Sequence, residues 1–363
     1  MDFSKLDDDQ ANVVRWSPGG KNLRVVASAG SGKTTVIVAL VTKLVLVDEI
    51  PPEDICVITF ANRAGRELRT RLTSSLGSQK VAEMTVGTFH SVGLKMLRAE
   101  QGEEKWSMGR CTDMNMAQRK PEVPSTLQLW RSAVVFGKMP GTDEVSAMVA
   151  EFPDHHLKAA NLQRADGRVH TNAKGAGSAK QFKKCWSMVE RAKTAIGCWE
   201  FDDVLLEWSQ LLENKPGKFK VVIVDEAQDN NKIQGEIVWK LAGLHGNVVL
   251  VGDLRQTIHE WRGAYPRNFR QADRKLKAET RELRFNYRST PSIVDLCNKF
   301  AAEKPWTLGS AATAVSTSDA RSVQWRGCAD EFAQAAAIAA EVRVAAQCRP
   351  KETRAVLLRT NGQ

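Results

Sequence analysis

The sequence predicts an α/β fold built on a largely parallel sheet. Five runs of strand length, rich in valine and other apolar residues, lie far apart at residues 23–27, 55–60, 81–86, 221–224 and 248–251. Continuous apolar runs, rather than alternating ones, are typical of strands that helices cover on both faces. A helix-like run at residues 35–47 follows the first of them, as expected for alternating strands and helices.

Helical segments are predicted near both ends and in the middle of the chain. Asp7, Asp8 and Asp9 favour the start of a helix over residues 10–16, because carboxylates stabilise a helix N-terminus. Residues 333–346 read as an alanine-rich helix packed against a last β-like run at residues 355–358. Residues 100–200 contain no clear β-run, which predicts an inserted, mostly helical domain.

Composition and charge restrict the class of protein. The chain has 363 residues, 42% hydrophobic and 26% charged, which suits two or three compact globular units. A formal net charge of +10 suits a polyanionic partner, with nucleic acid as the first candidate. No apolar stretch has bilayer-spanning length and the N-terminus lacks signal-peptide features, so we expect a cytoplasmic protein without a membrane partner. Seven scattered cysteines without a CxxC pair predict reduced thiols, most of them in the core.

A phosphate-binding loop follows the first predicted strand. Residues 27–34 read Ala-Ser-Ala-Gly-Ser-Gly-Lys-Thr, and small residues at positions 29–32 let backbone N–H groups point at one phosphate. Lys33 would reach the outer phosphates, and Thr34 would offer its hydroxyl to Mg²⁺. The usual GxxxxGK[ST] pattern has glycine where this chain has Ala27. The alternative is a chance Gly/Ser turn before a helix.

Two further strands end in polar residues. Asp225 and Glu226 follow residues 221–224, and ligands bind at the carboxyl ends of strands in open α/β sheets. Asp225 would hold Mg²⁺, and Glu226 would take a proton from the attacking water. Gln256, shortly after the strand at residues 248–251, would sense the outer phosphate. The alternatives are a solvated acidic turn and, for Gln256, a residue that caps the next helix.

The order of these and other segments resembles that of the UvrD/Rep/PcrA-type superfamily 1 DNA helicases. The segments that resemble motifs Q, I, Ia, Ib, II, III, IV and IVa lie at residues 6–10, 27–35, 59–64, 86–90, 224–229, 252–264, 286–289 and 358–363. Residues 201–205 resemble the element that returns the chain from the inserted domain. The matches run in the family's order along nearly the whole chain.

The resemblance implies a domain organisation. Residues 1–98 and 200–275 would form a first RecA-like P-loop motor domain, and residues 99–199 the inserted helical domain. Residues 276–363 would be the truncated start of a second RecA-like domain. Within the insertion, the basic stretch at residues 158–193 is either a surface that tracks a nucleic-acid backbone or a solvated helical face.

The resemblance also implies roles for single residues. Gln10 would bind the adenine edge, Tyr287 would stack on the base, and Arg288 would act on the γ-phosphate as an arginine finger. The nucleotide-binding set is Gln10, Ala29, Gly30, Ser31, Gly32, Lys33, Thr34, Thr35, Tyr287 and Arg288, and the catalytic set is Lys33, Glu226, Gln256 and Arg288. The residues expected to contact DNA are Phe60, Asn62, Phe89, His90, His259 and Trp261, because aromatic rings stack on bases. The sequence departs from the family pattern at Thr35, where arginine is common, and at His259, where tyrosine is usual.

The function implied is that of an ATP-dependent DNA helicase or translocase with Mg²⁺ as cofactor. It would move on single-stranded DNA and at single/double-strand junctions, in DNA repair or replication. Motifs V and VI of the family are absent, so ATP binding should survive and motor activity should be impaired if residue 363 is the end of the polypeptide. Two alternatives stay open: a non-motor ATP- and DNA-binding remnant, and another P-loop enzyme such as a kinase or GTPase.

Overall fold

The computed structural model describes residues 2–111, 191, 193–195, 197–244, 246–259, 263–303, 308–318, 323–349, 351 and 353–357. Most of the predicted insertion, nearly all of the basic stretch at residues 158–193, Trp261 and residues 358–363 therefore lie outside the described part. The chain divides into two compact units, Met1–Ser318 and Asp319–Gln363. Each unit is treated separately below.

The first unit is organised around a six-stranded sheet in which every pairing is parallel. The strands are β1 Leu23–Ala27, β2 Ile55–Thr59, β3 Thr85–Thr88, β4 Val221–Val224, β5 Asn247–Gly252 and β6 Glu279–Leu283. Their spatial order is β3-β2-β4-β5-β1-β6. The predicted α/β class with a parallel, RecA-like sheet is thus confirmed.

Helices cover the two faces of this sheet. In chain order they are α1 Asp8–Val14, α2 Lys33–Leu46, α3 Asn62–Leu76, α4 Ser78–Glu83, α5 Phe89–Gln101, α6 Phe201–Asn214, α7 Lys232–Ala242, α8 Arg267–Arg270, α9 Ala272–Leu276 and α10 Pro291–Ala302. Strands β1, β2, β4 and β5 are buried on both faces, since their successive residues belong to two different apolar clusters. Val222 and Val224 pack on one side and Val221 and Ile223 on the other. This double burial explains why the strands read as continuous apolar runs.

The structure corrects the predicted strand at residues 81–86. Residues 78–83 form helix α4, in which Val81 is buried, and the strand begins only at Thr85. An isolated valine such as Val81 can be buried by a helix as well as by a strand. The helix ends at Glu83 and the strand begins at Thr85, and both of these residues are polar. The remaining four predicted strands are confirmed, with ends that differ by one residue at most.

The structure also extends the first sheet beyond its predicted end. Strand β6 pairs with β1 along its whole length, from Leu23 opposite Glu279 to Ala27 opposite Leu283. Residues 279–283 thus belong to the first sheet, whereas the prediction assigned them to the start of a second domain. After β6, strand β7 Phe285–Asn286 pairs in parallel with β8 Thr313–Ala314 in a separate two-stranded sheet. The rest of the predicted division into domains stays a prediction.

In the second unit, helix α11 Glu331–Cys348 contains the predicted alanine-rich segment and starts at Asp330, whose side chain accepts a hydrogen bond from the backbone N–H of Ala333. None of its residues is buried, and the described residues 355–357 are not in a strand. The predicted packing against a final strand is therefore not found in the described part. None of the helices within the described ranges combines the length and the apolar character needed to cross a bilayer.

Candidate active site

The residues predicted to handle a nucleotide meet at one edge of the sheet. Strands β4, β5, β1 and β6 are consecutive neighbours in the sheet, and all are parallel, so the loops after them emerge together. These loops hold the acid pair, which is Asp225 and Glu226, then the turn at Asp253, the phosphate loop, and the segment with Tyr287 and Arg288. The loops after β2 and β3, in the other half of the sheet, hold residues predicted to contact DNA.

The phosphate loop has the backbone that its glycines permit. Gly30 and Gly32 have φ angles of +72° and +82°, in the left-handed region that favours glycine. The Ser31 hydroxyl and backbone N–H both donate to the Ser28 carbonyl, at 2.8 and 3.2 Å. The Ser28 hydroxyl is buried without a hydrogen-bond partner among the described residues. This arrangement fits a cradle for an anionic group.

The loop is closely enclosed by neighbours on two sides. A Cβ atom on Gly30 would lie 2.7 Å from Cβ of Arg288, and one on Gly32 would lie 2.9 Å from Nε2 of Gln10. Gln10 also donates to the Ser31 carbonyl at 3.3 Å, and the Tyr287 backbone N–H donates to the Gly30 carbonyl at 3.0 Å. The predicted base-binding and arginine-finger residues therefore border the predicted phosphate loop.

Lys33, the first residue of α2, lies beside the acid pair. Its Nζ is 3.4 Å from Oε1 of Glu226. Glu226 has a φ angle of +51°, which is uncommon for a residue with a side chain and marks a constrained turn. The Asp225 backbone N–H donates to the Ile58 carbonyl at 2.9 Å, so the turn is anchored to the neighbouring strand β2. The sequence thus placed the lysine and the acid pair together correctly.

Negative charge exceeds positive charge in this cluster. Burial, aided by the nearby Glu226 charge, raises the pKa of the Asp225 carboxyl to about 6. The same two causes raise the pKa of Asp229 to about 6. One Asp229 oxygen, Oδ1, is buried without a hydrogen-bond partner among the described residues. Such an excess of carboxylates around one lysine is suited to a further cation.

The donor set fits Mg²⁺ in one particular way. No group of three or more His, Cys, Asp or Glu side chains in the described ranges is arranged to hold a metal by itself. Mg²⁺ in phosphoryl-transfer sites usually takes one or two protein ligands and completes its shell with phosphate and water. One carboxylate from Asp225 and one hydroxyl from Thr34 are compatible with that mode, and with the deficit of positive charge.

Two predicted residues have partners other than those expected, and the role of a third is untested. The Gln256 amide donates to Asp253 Oδ2 at 3.0 Å, and Asp253 itself caps the 3-10 turn Leu254–Gln256, so the contact of Gln256 with a phosphate stays a prediction. The Tyr287 hydroxyl donates to Asp7, the N-cap of α1, and the ring is about half exposed. Thr35 lies in the first turn of α2, half-buried, and its role also stays a prediction.

On the other half of the edge, Phe60 and His259 stack on each other. Their ring centroids are 5.0 Å apart with an interplanar angle of 20°. Phe60 is 36% exposed, so the pair presents ring surface to solvent. Asn62, the first residue of α3, is exposed nearby in sequence. These three positions agree with the predicted contact surface, and Trp261 lies outside the described residues.

The structure does not support stacking roles for Phe89 and His90. Phe89 is 3% exposed and belongs to the core between sheet and helices, because the helix that starts there turns its first side chain inward. His90 packs edge-on against Phe201 at 5.4 Å, and burial lowers its pKa to about 4, so it is neutral at pH 7. Both rings are occupied by protein packing.

Sequence reasoning missed a basic groove beside these residues. A groove of about 170 Å³ is lined by Asn62, Gly65, Arg66, Arg69, Val86, Gly87 and Thr88. Arg66 and Arg69 are both exposed cations of the lining, and Arg69 donates to the Val86 carbonyl at 2.6 Å. The arginine spacing of three along α3 was the available signal, since such residues share one helix face.

Sequence reasoning also missed two buried polar residues that organise the site. Asn286 donates to the Ala29 carbonyl at 2.6 Å and accepts from the N–H groups of Arg288 and Ser289 at 2.9 and 2.8 Å. It therefore fixes the arginine segment against the phosphate loop. Gln228, two residues after Glu226, is 1% exposed and bridges the loops after β4 and β5. The available signal was that Asn286 and Gln228 are polar amides in segments that directly adjoin predicted site residues.

Comparison with known proteins agrees with this geometry. A family model described as the UvrD/REP helicase N-terminal domain matches residues 6–277. The chain is 30% identical over 322 residues to DNA helicase II of Haemophilus influenzae, covering 85% of this chain and 42% of that protein. It is 32% identical over 317 residues to DNA helicase II of Escherichia coli, with the same coverage of 85% and 42%. It is also similar to the ATP-dependent DNA helicase PcrA of Staphylococcus aureus, at 27% identity over 309 residues, 82% of this chain and 40% of that protein.

The extent of these matches fits the elements described above. The chain spans about two fifths of the length of these relatives. The family match begins before α1 and ends just before β6, so it includes the phosphate loop, the acid pair and the Asp253 turn. With its lysine, acid pair and parallel sheet in one matched region, the chain belongs to the UvrD/REP helicase N-terminal domain family.

Proposed function

We propose that the chain is the ATP-binding part of a UvrD-type DNA helicase or translocase, which hydrolyses ATP to move on single-stranded DNA. The observation that carries the proposal is the 3.4 Å approach of Lys33 to Glu226 at the end of the phosphate loop. The names of its relatives, DNA helicase II and ATP-dependent DNA helicase PcrA, support the choice of ATP and DNA as ligands. DNA repair and replication are the processes in which we expect it to act.

ATP binding rests on the residues around the phosphate loop. The N–H groups at the start of α2 and the Lys33 ammonium would hold the phosphates, since a helix N-terminus and a cation both attract anions. Gln10 and Tyr287, on two sides of that loop, would hold the base. The Tyr287 hydroxyl donates to Asp7, so base binding would compete with that hydrogen bond or use the ring face beside it.

Hydrolysis rests on the acid pair. Glu226 would accept a proton from the water that attacks the γ-phosphate, while Asp225 would serve as a metal ligand together with Thr34. Mg²⁺ in such a site neutralises charge that develops on the phosphate oxygens. Arg288, fixed beside Gly30 through Asn286, would place a second positive charge near the same phosphate. The excess of carboxylates around Lys33 supports a role in binding a cation.

DNA binding rests on the loops after β2 and β3 and on the loop that ends at His259. The stacked rings of Phe60 and His259 would receive a base, because every base offers a face for stacking. Arg66, in the groove next to Asn62, would contact a backbone phosphate. The net charge of +10 supports a polyanionic partner. We expect Trp261 to extend the same surface.

The test is ATP hydrolysis by the whole protein that contains this chain, with and without an oligo-dT single strand. We expect stimulation by the strand, loss of ATP binding in Lys33→Ala, and a fall in turnover of about 10²- to 10⁴-fold in Glu226→Gln with ATP binding retained. Glu213→Gln, at an exposed glutamate of α6, is the matched control and should behave like the wild type.

The outcomes separate the alternatives. Absence of ATP binding in the wild type would refute the proposal. ATP and DNA binding without turnover would favour a non-motor ATP- and DNA-binding protein. ATP turnover that is not stimulated by single-stranded DNA would indicate another class of P-loop enzyme instead.

A further inference from the structure

Gln228 is among the most buried polar residues of the candidate site, at 1% exposure, a value it shares with Ser31 of the phosphate loop. Its Nε2 donates to Oε2 of Glu226 at 2.9 Å and to Oδ2 of Asp229 at 3.3 Å. Its Oε1 accepts from the backbone N–H of Asp253 at 3.0 Å. The amide therefore uses both of its N–H donors on one loop and its oxygen on the next.

The orientation of this amide is fixed by chemistry. Two carboxylates face its nitrogen, and carboxylates only accept hydrogen bonds when ionised; a backbone N–H faces its oxygen and can only donate. Rotating the amide by half a turn would oppose acceptor to acceptor and donor to donor. The amide is also closely packed, because a Cβ atom on Gly252 would lie 2.5 Å from Oε1 of Gln228. Gly252 thus leaves the space that the bridge occupies.

The bridge connects the proposed general base to the loop after β5. The Asp253 backbone N–H donates to Gln228, and the Asp253 carboxylate accepts from the Arg255 N–H and the Gln256 amide, each at 3.0 Å. Six residues after Asp253 along the same loop, His259 stacks on Phe60 at the exposed face. The segment from Asp253 to His259 therefore contacts Gln228, the hydrogen-bond partner of the proposed general base, and carries the ring that stacks on Phe60.

We propose that Gln228 is a positioning residue that couples strand binding at His259 and Phe60 to the placement of Glu226. Movement of the loop after β5, when a base meets the ring pair, is transmitted through Asp253 and Gln228 to the Glu226 carboxylate. Lys33 contacts Oε1 of Glu226 and Gln228 contacts Oε2. Gln228 is therefore the partner of the Glu226 carboxylate on the side away from the phosphate loop. The inference rests on the proposed function, since it needs both ligands.

The experiment measures the coupling between the two ligands. The affinity of the chain for a labelled oligo-dT is measured with and without a non-hydrolysable Mg·ATP analogue, and the ratio is the coupling factor. We expect a factor of about 5 to 150 in the wild type. In Gln228→Met, which keeps the length and removes the hydrogen bonds, the factor should fall to about 1. The affinity for each ligand alone should stay within about threefold, and turnover should fall with an unchanged KM for ATP.

Two further variants make the test specific. Gly252→Ala leaves the amide intact but displaces it sterically, so it should also reduce the coupling factor, and it decides the matter if Gln228→Met does not fold. Gln234→Met changes another buried glutamine, which caps α7 with Asn231, and should leave the coupling factor unchanged.

Failure of this inference is distinct from failure of the proposed function. A wild-type chain that binds neither ligand refutes the proposed function, and the inference with it. A wild-type chain that binds both ligands without coupling overturns the inference alone. Wild-type coupling in Gln228→Met and Gly252→Ala overturns it as well, and so does an equal reduction in Gln234→Met.

Discussion

Two buried lysines, each surrounded by acidic residues, differ in how well their neighbours are satisfied. Lys193 donates to Glu200 at 3.1 Å and to both oxygens of Asp203, at 3.0 and 2.9 Å. The Glu200 backbone N–H donates to the same aspartate at 2.7 Å, which caps α6. Lys33, in contrast, has a contact of 3.4 Å to Glu226, and the pKa values of Asp225 and Asp229 are raised nearby.

The comparison shows how the same residue types serve structure or ligand binding. Around Lys193, short hydrogen bonds and a helix cap compensate the loss of water around the charges. Around Lys33, like charges are held together, one Asp229 oxygen has no hydrogen-bond partner within the described part of the chain, and Glu226 adopts a left-handed backbone. A bound cation would therefore stabilise the carboxylates around Lys33. It would not stabilise the Lys193 cluster, in which the carboxylates already have a cation.

The largest expected effect on the free energy of unfolding is at the cluster of Lys193, Glu200 and Asp203, in which every charge has a partner. Lys193→Met leaves Glu200 and Asp203 without their buried cation, so the free energy of unfolding should fall by about 3–5 kcal/mol. Urea denaturation of wild type and variant measures the difference. Lys215→Met removes an exposed ion pair with Glu100 and should lose less than about 1 kcal/mol. Equal effects of the two substitutions would contradict the structural role of Lys193.

A smaller effect is expected at a second satisfied pair, Asp9 with Arg284. Arg284 donates to Asp9 from Nε at 2.9 Å and from Nη2 at 2.6 Å, and these hydrogen bonds lower the pKa of Asp9. Asp9→Asn should reduce the free energy of unfolding at pH 7 by about 1–2 kcal/mol.

The pH dependence checks the cause at Asp9. Because its pKa is lower in the folded chain, the contribution is complete above the ordinary aspartate pKa of 3.8 and is lost as the pH falls through the folded value. The difference between wild type and variant should therefore shrink below about pH 4. A difference that stays constant down to pH 3 would assign the effect to packing instead.

The smallest effect, with the opposite sign, is expected at the unsatisfied cluster. The pKa of Asp229 is raised to about 6, so in the folded chain its charge is unfavourable above that pH. Asp229→Asn should raise the free energy of unfolding by about 1 kcal/mol at pH 8, since solvent screens part of the full shift. Removing the Asp229 charge also leaves Gln228 an oxygen acceptor at that position.

The sign at Asp229 follows from proton binding. Between about pH 4 and 6 the folded chain holds this proton more tightly than the unfolded chain, so the penalty is absent at low pH and develops as the pH rises through 6. The gain in the variant should disappear near pH 4. Denaturation curves at pH 4.5, 6 and 8 measure it, and a variant that is less stable than wild type at every pH would contradict the contrast with Lys193.

Sequence reasoning succeeded where the signal was local. The apolar runs of β1, β2, β4 and β5 and the loop from Ala27 to Thr34 each depend on a few consecutive residues, and all were found. It succeeded with Lys33 and Glu226, which are far apart in the chain, because parallel strands bring their carboxyl ends to one edge. Topology there makes a distant contact predictable.

It failed where burial decided the role. Phe60 and Phe89 both follow strands and look equivalent in sequence, yet Phe60 is 36% exposed and Phe89 is 3% exposed. Lys193, at the end of a basic stretch, is 2% exposed and cannot belong to a DNA-tracking surface. The side of the chain that a helix or sheet covers depends on neighbours that no short pattern contains.

The sequence by itself determined the parallel α/β architecture, the phosphate loop and the acid pair, because backbone preference and alternation between apolar strands and helices act over short distances. Only the tertiary structure decided that β6 joins the first sheet, that Phe89 is buried while His90 packs against Phe201, and that Gln228 joins Glu226 to the loop after β5. Those outcomes depend on hydrogen bonds and burial between segments that are distant in the chain, and the free energy of such contacts exists only once the segments have met.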